Sequence, residues 1–363
     1  MFLDSFFMNV AVTGYVGTGS SAMIDLLREY KGVSIVPEER SSYEHQVFYR
    51  SGGLFDLLAI LSQGTSPVCS DQIINRFIDT MYNMYQYDYV WYGGYKNLVG
   101  DVFLKNVDDF VSSISYKFSG TNSTHQTHTY FSIKKALMQF ASHVIYKKNY
   151  MKYGVGYKTD GKPSYVSIPS VEELQKAAEK FTSGYLDLFD KKHEINVFDH
   201  LIWPQQIENY SKFFNQDDLK IIVLVRDPRD VYLLNKYVWY HDARGKRLSN
   251  PSLRTNVEDF VYDWLRTFKP LPKSNNLLII QFEDLVYNYD ETLSRIEDFL
   301  EISPSNHLDK REYFNPQKSI ENTQVFNARK DWDTEVMGMK NSLCKFIYNF
   351  PYKYNPELKL MFD

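Results

Sequence analysis

A glycine-rich turn near the N-terminus carries the clearest chemistry in this chain. Val10–Thr13 runs into Gly14-Tyr-Val-Gly17-Thr18-Gly19-Ser20-Ser21 and then the apolar-periodic Ala22–Leu27, a strand–turn–helix pattern. The spacing Gly14-x4-Gly19-x-Ser21 matches a phosphate loop of the G-x-x-x-x-G-K-[ST] kind, with Ser20 in place of the lysine. Glycines let the backbone approach an anion, and the N–H groups at a helix start point at it. The lysine that is absent ordinarily reaches the β- and γ-phosphates of a nucleoside triphosphate. A cradle without that grip suits a nucleotide with a shorter anionic tail.

A second set of candidate groups ends a continuous apolar run. Leu219–Val225 (LKIIVLV) reads as a strand buried on both faces, and Arg226-Asp227-Pro228-Arg229-Asp230 follows it. In an open parallel sheet ligands lie outside the carboxyl ends of the strands, where both Gly14–Ser21 and Arg226 fall. Arginine offers bidentate contacts to phosphate. The competing reading pairs Arg226 and Arg229 with Asp227 and Asp230 as structural ion pairs. Late in the chain, Arg329-Lys330 precedes Asp331-Trp332, a further cationic pair or a solvated charged turn.

These groups need elements to hold them, and the apolar patterning supplies a set. An amphipathic helix is expected over about 20–30 and a strand over Val33–Val36, with helical periodicity near 54–62 and 71–85. Helical stretches recur near 104–115 and 132–147, and Lys152–Ser167 reads as a loop or hairpin. Ser170 starts a capping-box-like helix over 170–191, Ile195–Phe198 a strand, and Pro204 a helix to about 214. A helix after Arg226–Asp230, another over about 256–268, a strand at Leu277–Gln281 and a helix at Asp290–Leu300 complete the series. Short apolar strands alternating with helices predict an α/β, P-loop-like three-layer sandwich around a central parallel sheet, with a Tyr-rich, mainly helical insertion. A single domain over 1–363 is expected, with its core in 1–80 and 170–335. Residues 81–169 form an acceptor-side insertion or cap, and 336–363 a C-terminal helix and tail.

Composition narrows the partners. A net charge of −4 over 363 residues gives no global attraction to nucleic acid, so anion binding must be local. Cys69 and Cys344 lack a metal spacing and exclude a disulfide framework, which fits a reducing compartment. Met1–Met8 is too short, and lacks the basic flank, for a signal peptide, and no run approaches membrane-span length. A cytoplasmic chain with no membrane span is the expectation. Thirteen of the 29 tyrosines fall between Tyr82 and Tyr165, where aromatic faces with polar tips would suit sugar rings or build a second core.

Four segments in this order resemble the sulfotransferases that use 3′-phosphoadenosine-5′-phosphosulfate (PAPS), most closely those acting on carbohydrates. They are Gly14–Ser21, Lys220–Val231, Ile280–Leu285 with Asp290–Leu300, and Asn322-Thr323 with Arg329–Trp332. The likeness spans roughly 9–40 and 195–335. It implies sulfonate transfer from PAPS to a hydroxyl of a carbohydrate or polysaccharide, with no metal required. The 5′-phosphosulfate falls to Gly14, Gly17, Thr18, Gly19, Ser20 and Ser21, and the 3′-phosphate to Arg226, Arg329 and Lys330. The family's serine eight residues after the strand-end arginine is here Leu234, so Asn235 is the candidate substitute. Its loop lysine falls on Gly17, which leaves Arg40, His200 or Ser20 to stabilise the transferring group. Similar glycan sulfotransferases place a glutamate base just past the second strand, which falls on Glu39 with Glu38 adjacent. His200, in Phe198-Asp199-His200 at the next strand end, is the alternative base or a proton partner. A P-loop nucleotide kinase and a non-catalytic glycan-binding relative are the competing functions.

Overall fold

The apolar runs become strands of one parallel sheet. The structure is a computed structural model that describes residues 7–40, 43–64, 66–118, 144, 164–189, 193–214, 219–237 and 256–355. Its strands are β1 (Met8–Gly14), β2 (Val33–Val36), β3 (Tyr116–Phe118), β4 (Ser164–Val166), β5 (Ile195–Asp199), β6 (Lys220–Val225) and β7 (Leu277–Gln281). Five of them form a sheet in the order β2-β5-β1-β6-β7, every neighbouring pair parallel. With β1 central, its carboxyl end and those of β5 and β6 open side by side.

Apolar side chains pack most of the surface of those central strands. Val10, Val12, Ile222 and Leu224 pack with Val197, Ile280 and the Met23, Leu26 and Leu27 side chains of α1 (Ser20–Arg28). Leu293, Ile296 and Leu300 of the helix Tyr289–Leu300 close the same cluster. Another cluster joins Leu233 and Leu234 to Trp264, Val325, Phe326, Trp332 and Met339. The result is an α/β fold, a central parallel sheet with flanking helices.

The chain divides at 45/46 and 190/191 rather than at the composition change near 86. One unit holds the five-stranded sheet; the other comprises Gln46–Asp190. The helices Leu54–Leu61, Pro67–Gln86 and Val171–Leu186, expected in the sheet's unit, belong to the second unit. The reason is aromatic packing within it: Phe77, Phe110 and Phe181 meet with centroids 5.0–6.0 Å apart. Ser170 makes the expected capping box with Glu173, and its helix ends at Leu186. The expected helix over 132–147 lies, apart from 144, outside the described residues, as do 152–163 of the expected hairpin; β4, at its end, pairs antiparallel with β3. In the expected C-terminal helix and tail, Met339–Ser342 is a single helical turn, and 356–363 lie outside the described residues.

Candidate functional site

The loop after β1 has the backbone its glycines allow. Gly17 and Gly19 have φ of +83° and +95°, which L side chains rarely adopt. A Cβ on Gly14 would collide with Thr18 Oγ1 and lie 3.1 Å from the Leu224 carbonyl oxygen. A Cβ on Gly19 would meet Phe282 Cδ2 at 2.6 Å. The Thr18 N–H and hydroxyl both donate to the Tyr15 carbonyl, at 3.0 and 2.8 Å. Thr18 is therefore buried and committed to shaping the turn. Ser20 is half-buried and Ser21 exposed at the start of α1, whose N-cap, Gly19, makes no side-chain hydrogen bond. A helix start without a side-chain cap leaves its N–H groups for an anion.

Arg226 ends β6 beside that loop. Its Nη1 donates to the Gly17 carbonyl at 3.3 Å and its Nη2 to the Asn322 carbonyl. Its guanidinium lies 4.6 Å from the Phe282 ring centroid. Only 4 % of the residue is exposed, and its Nε has no partner among the described residues. Burial pulls its pKa down from the ordinary value against the pull of nearby carboxylates. A buried guanidinium without an ion-pair partner among the described residues suits an anion from solution.

The carboxylates around it are engaged elsewhere. Asp227 takes Arg229 in a bidentate pair at 2.9 and 2.7 Å, so Arg229 is the structural ion pair that the motif allowed. Glu283 accepts from the Asp227 N–H at 2.8 Å and from Gln281 at 2.7 Å, and burial pushes its pKa up to about 7. Asp230 accepts from the Gln324 N–H at 2.8 Å, and burial, then the charge of Asp227, raises its pKa well above the ordinary value.

The other expected phosphate contacts divide. Leu234 is consumed by the core. Asn235 is 6 % exposed, and its Oδ1 has no partner among the described residues. It stands two turns after Pro228 on the helix Pro228–Tyr237. Arg329 and Lys330 are exposed at the start of the helix Lys330–Val336, and Arg329 pairs with Asp331 at 3.2 Å. The same connection supplies the Asn322 carbonyl to Arg226.

The two candidate bases differ in their setting. Val12 is level with Asp199 in the sheet, and the His200 N–H donates to the Val12 carbonyl at 2.9 Å. His200 thus stands one strand from the loop. Its backbone has a φ of +48°, and its Nδ1–H donates to Asp199 Oδ1 at 2.7 Å. Burial works to lower its pKa, but the hydrogen bond and charge of Asp199 prevail and raise it above the ordinary value. Nε2 is left as the group that can accept a proton. Glu39 lies three residues beyond β2, exposed at the far side of β5 from the loop. Glu38, also exposed, accepts from Ser34 at 2.8 Å and lies 3.2 Å from His193 Nε2. Sequence reasoning missed Asp199 as the partner of His200, although the two are adjacent.

Residues 9–345 match the family described as "Sulfotransferase domain". Sulfotransferase 2A6 of Mus musculus is 28 % identical over 155 residues, covering 39 % of this chain and 51 % of the relative. Sulfotransferase 2A1 of Rattus norvegicus is 28 % identical over 152 residues with the same coverage. The chain spans about half the length of these curated relatives. Among solved structures, the sulfotransferase domain of the Synechococcus PCC 7002 olefin synthase has a TM-score of 0.36 at 13 % identity, covering 95 % of this chain and 96 % of its own. Retinol dehydratase in complex with androsterone and inactive cofactor PAP has a TM-score of 0.34 at 15 % identity, covering 98 % and 84 %. Among the described residues no helix is long and apolar enough to cross a membrane.

Proposed function

We propose, from the premise that this chain belongs to the sulfotransferase domain family, that it moves a sulfonate from PAPS to a hydroxyl of a carbohydrate. The observation that carries this reading is Arg226, buried beside the lysine-free loop with an Nε that has no partner among the described residues. The loop cradle takes the 5′-phosphosulfate through the N–H groups of Gly17, Gly19, Ser20 and Ser21, while the Thr18 N–H stays on the Tyr15 carbonyl and shapes the turn. Arg226 takes the 3′-phosphate, with Asn235 of the following helix and the exposed Arg329 and Lys330 as further candidate contacts.

The donor supplies an electrophilic sulfur with a phosphate leaving group. His200 does the proton work: Asp199 holds Nδ1–H, so Nε2 receives the acceptor's hydroxyl proton as its oxygen attacks sulfur. A base with a raised pKa is better matched to a proton of this kind near neutral pH. Glu39 is the second candidate, one strand further from the loop. The loop and Arg226 position the donor and neutralise charge, which is most of what an in-line transfer requires.

The carbohydrate assignment draws on the second unit. There Trp91, Tyr87 and Tyr82 are 62 %, 54 % and 52 % exposed. Tyr89 and Tyr92 stack at 4.7 Å, with the Arg50 guanidinium 4.3 Å from the Tyr92 ring centroid. Exposed aromatic faces with polar tips suit the C–H faces and hydroxyls of sugar rings. Incubation with radiolabelled PAPS and separate pools of polysaccharides, phenols and aliphatic alcohols tests the reading. Label in the polysaccharide pool, lost with Arg226→Ala, is the expected result. Label confined to phenols or alcohols overturns the carbohydrate assignment, and label in none overturns the transfer.

A further inference from the structure

We propose that Glu335 is a positioning residue for the 3′-phosphate side of the nucleotide site, acting through Arg329. On the PAPS reading, on which this role rests, Arg329 is one of the contacts to that phosphate.

Glu335 ties two helices together. Its half-buried carboxylate lies on the helix Lys330–Val336 and takes donors from the helix Pro228–Tyr237. The Tyr232 and Tyr237 hydroxyls donate to its Oε1 and Oε2 at 2.5 and 2.8 Å, and Lys236 Nζ donates to Oε1. Lys236 also donates to the Tyr232 hydroxyl at 3.1 Å. Burial works to raise the Glu335 pKa, but these bonds prevail and lower it, so the carboxylate is charged at neutral pH. The Lys236 and Glu335 side chains are only 16 % and 23 % exposed, which shields their ion pair better than a surface pair. One of the two helices follows Arg226 and carries Asn235; the other starts just after Arg329. The three donors thus fasten together the two elements that bear candidate 3′-phosphate contacts.

Arg329 is held by the same assembly. Its guanidinium lies 4.9 Å from the Trp332 ring centroid. Trp332 is buried and stacks on Tyr237 at 5.2 Å, with 21° between the planes. Tyr237 in turn gives its hydroxyl to Glu335, so the contacts run unbroken from Glu335 through Tyr237 and Trp332 to Arg329. The pair between Arg329 and Asp331 does not fix the guanidinium. Both side chains are more than half exposed, and such a pair is weak enough to give way to a phosphate. A guanidinium already stacked on a ring loses less freedom when it meets its anion.

Calorimetric titration of the full chain and its variants with adenosine 3′,5′-bisphosphate, and with adenosine 5′-phosphate, tests this role without reference to sulfonate transfer. Glu335→Gln keeps the shape but loses the charge and one acceptor. It should weaken the bisphosphate roughly two- to tenfold, the ordering cost of one long side chain, and leave adenosine 5′-phosphate unchanged. Tyr237→Phe keeps the ring on Trp332 and loses one bond at an exposed residue. It should give a smaller loss of the same kind, with unchanged melting temperature. In an Arg329→Ala background neither substitution should weaken the bisphosphate further, because residues acting through one group are not additive. The role is overturned if the Glu335→Gln loss is absent, falls equally on both nucleotides, or persists in the Arg329→Ala background. In each of those cases a wild-type preference for the bisphosphate would still uphold the 3′-phosphate reading. A wild-type chain that binds both nucleotides equally would overturn that reading and this role with it.

Discussion

His200 and Asp199, neighbours in sequence, are joined side chain to side chain by a 2.7 Å hydrogen bond at the carboxyl end of β5. The bond fixes the imidazole with its Nδ1–H on the carboxylate and raises its pKa above the ordinary 6.5. His200→Ala should therefore lower turnover by about 10²–10⁴-fold while leaving nucleotide affinity nearly unchanged. Asp199→Asn should lower turnover too, and should move the acid limb of the pH–rate profile to lower pH. Near-normal turnover of His200→Ala, with loss in Glu39→Gln, would transfer the base to Glu39. The same shift bears on stability: this pair stabilises the fold fully below pH 6.5, and the contribution is lost as pH rises through the higher folded value.

Nucleotide binding at the proposed cradle should depend on pH through Glu283. Burial holds its pKa up at about 7, against an ordinary 4.5. The folded chain thus keeps a proton that the unfolded chain has released, and this group's contribution to stability falls as pH rises from about 4.5 to 7. Above pH 7 its carboxylate adds negative charge near Arg226. Affinity for adenosine 3′,5′-bisphosphate should fall as pH rises through about 7, with proton uptake on binding. Calorimetry in buffers of different ionisation enthalpy reads that uptake, and Glu283→Gln should remove it.

Gly19 has no tolerance for a side chain. At φ +95°, with Phe282 Cδ2 2.6 Å from an added Cβ, Gly19→Val meets both backbone strain and a clash. The strain alone is worth about 1–3 kcal/mol. Thermal melting should show the loss, and nucleotide binding should disappear. Adding Phe282→Ala should recover part of the melting temperature, because it relieves the clash and not the φ.

Glu29 anchors a segment far away in sequence. Its buried carboxylate accepts from His307 Nε2 at 2.6 Å and from the N–H groups of Arg311, Tyr313 and Phe314 at 3.1, 3.0 and 2.8 Å. Glu29→Ala strands all four donors and should cost about 3–5 kcal/mol in a denaturant titration. Glu29→Gln, which keeps one acceptor oxygen, should cost less.

How much the sequence disclosed depends on how local each feature is. The strands at Leu219–Val225 and Leu277–Gln281 are continuous apolar runs, and the glycine turn after β1 needs φ values that name their residues; both are legible. Arg226 at a strand end is legible as well. Its carbonyl partner Asn322 is not, since the contact joins residues 96 positions apart through a backbone oxygen that every residue carries. Glu29 is hidden for the same reason: a glutamate at a helix end looks like a solvated group until residues some 280 positions later fold over it. The unit boundary at 45/46 escaped because no change of composition marks it; the aromatic packing of Phe77, Phe110 and Phe181 does.

The central claim is a cradle for a nucleotide with separate 5′ and 3′ anions and no γ-phosphate grip. Calorimetric titration with adenosine 3′,5′-bisphosphate against ATP·Mg²⁺ tests it most directly. The bisphosphate should bind one per chain and more tightly than ATP·Mg²⁺. Arg226→Ala should weaken it by about 2–4 kcal/mol while sparing adenosine 5′-phosphate. Tighter binding of ATP·Mg²⁺, or equal losses for both adenosine nucleotides in Arg226→Ala, would contradict the account.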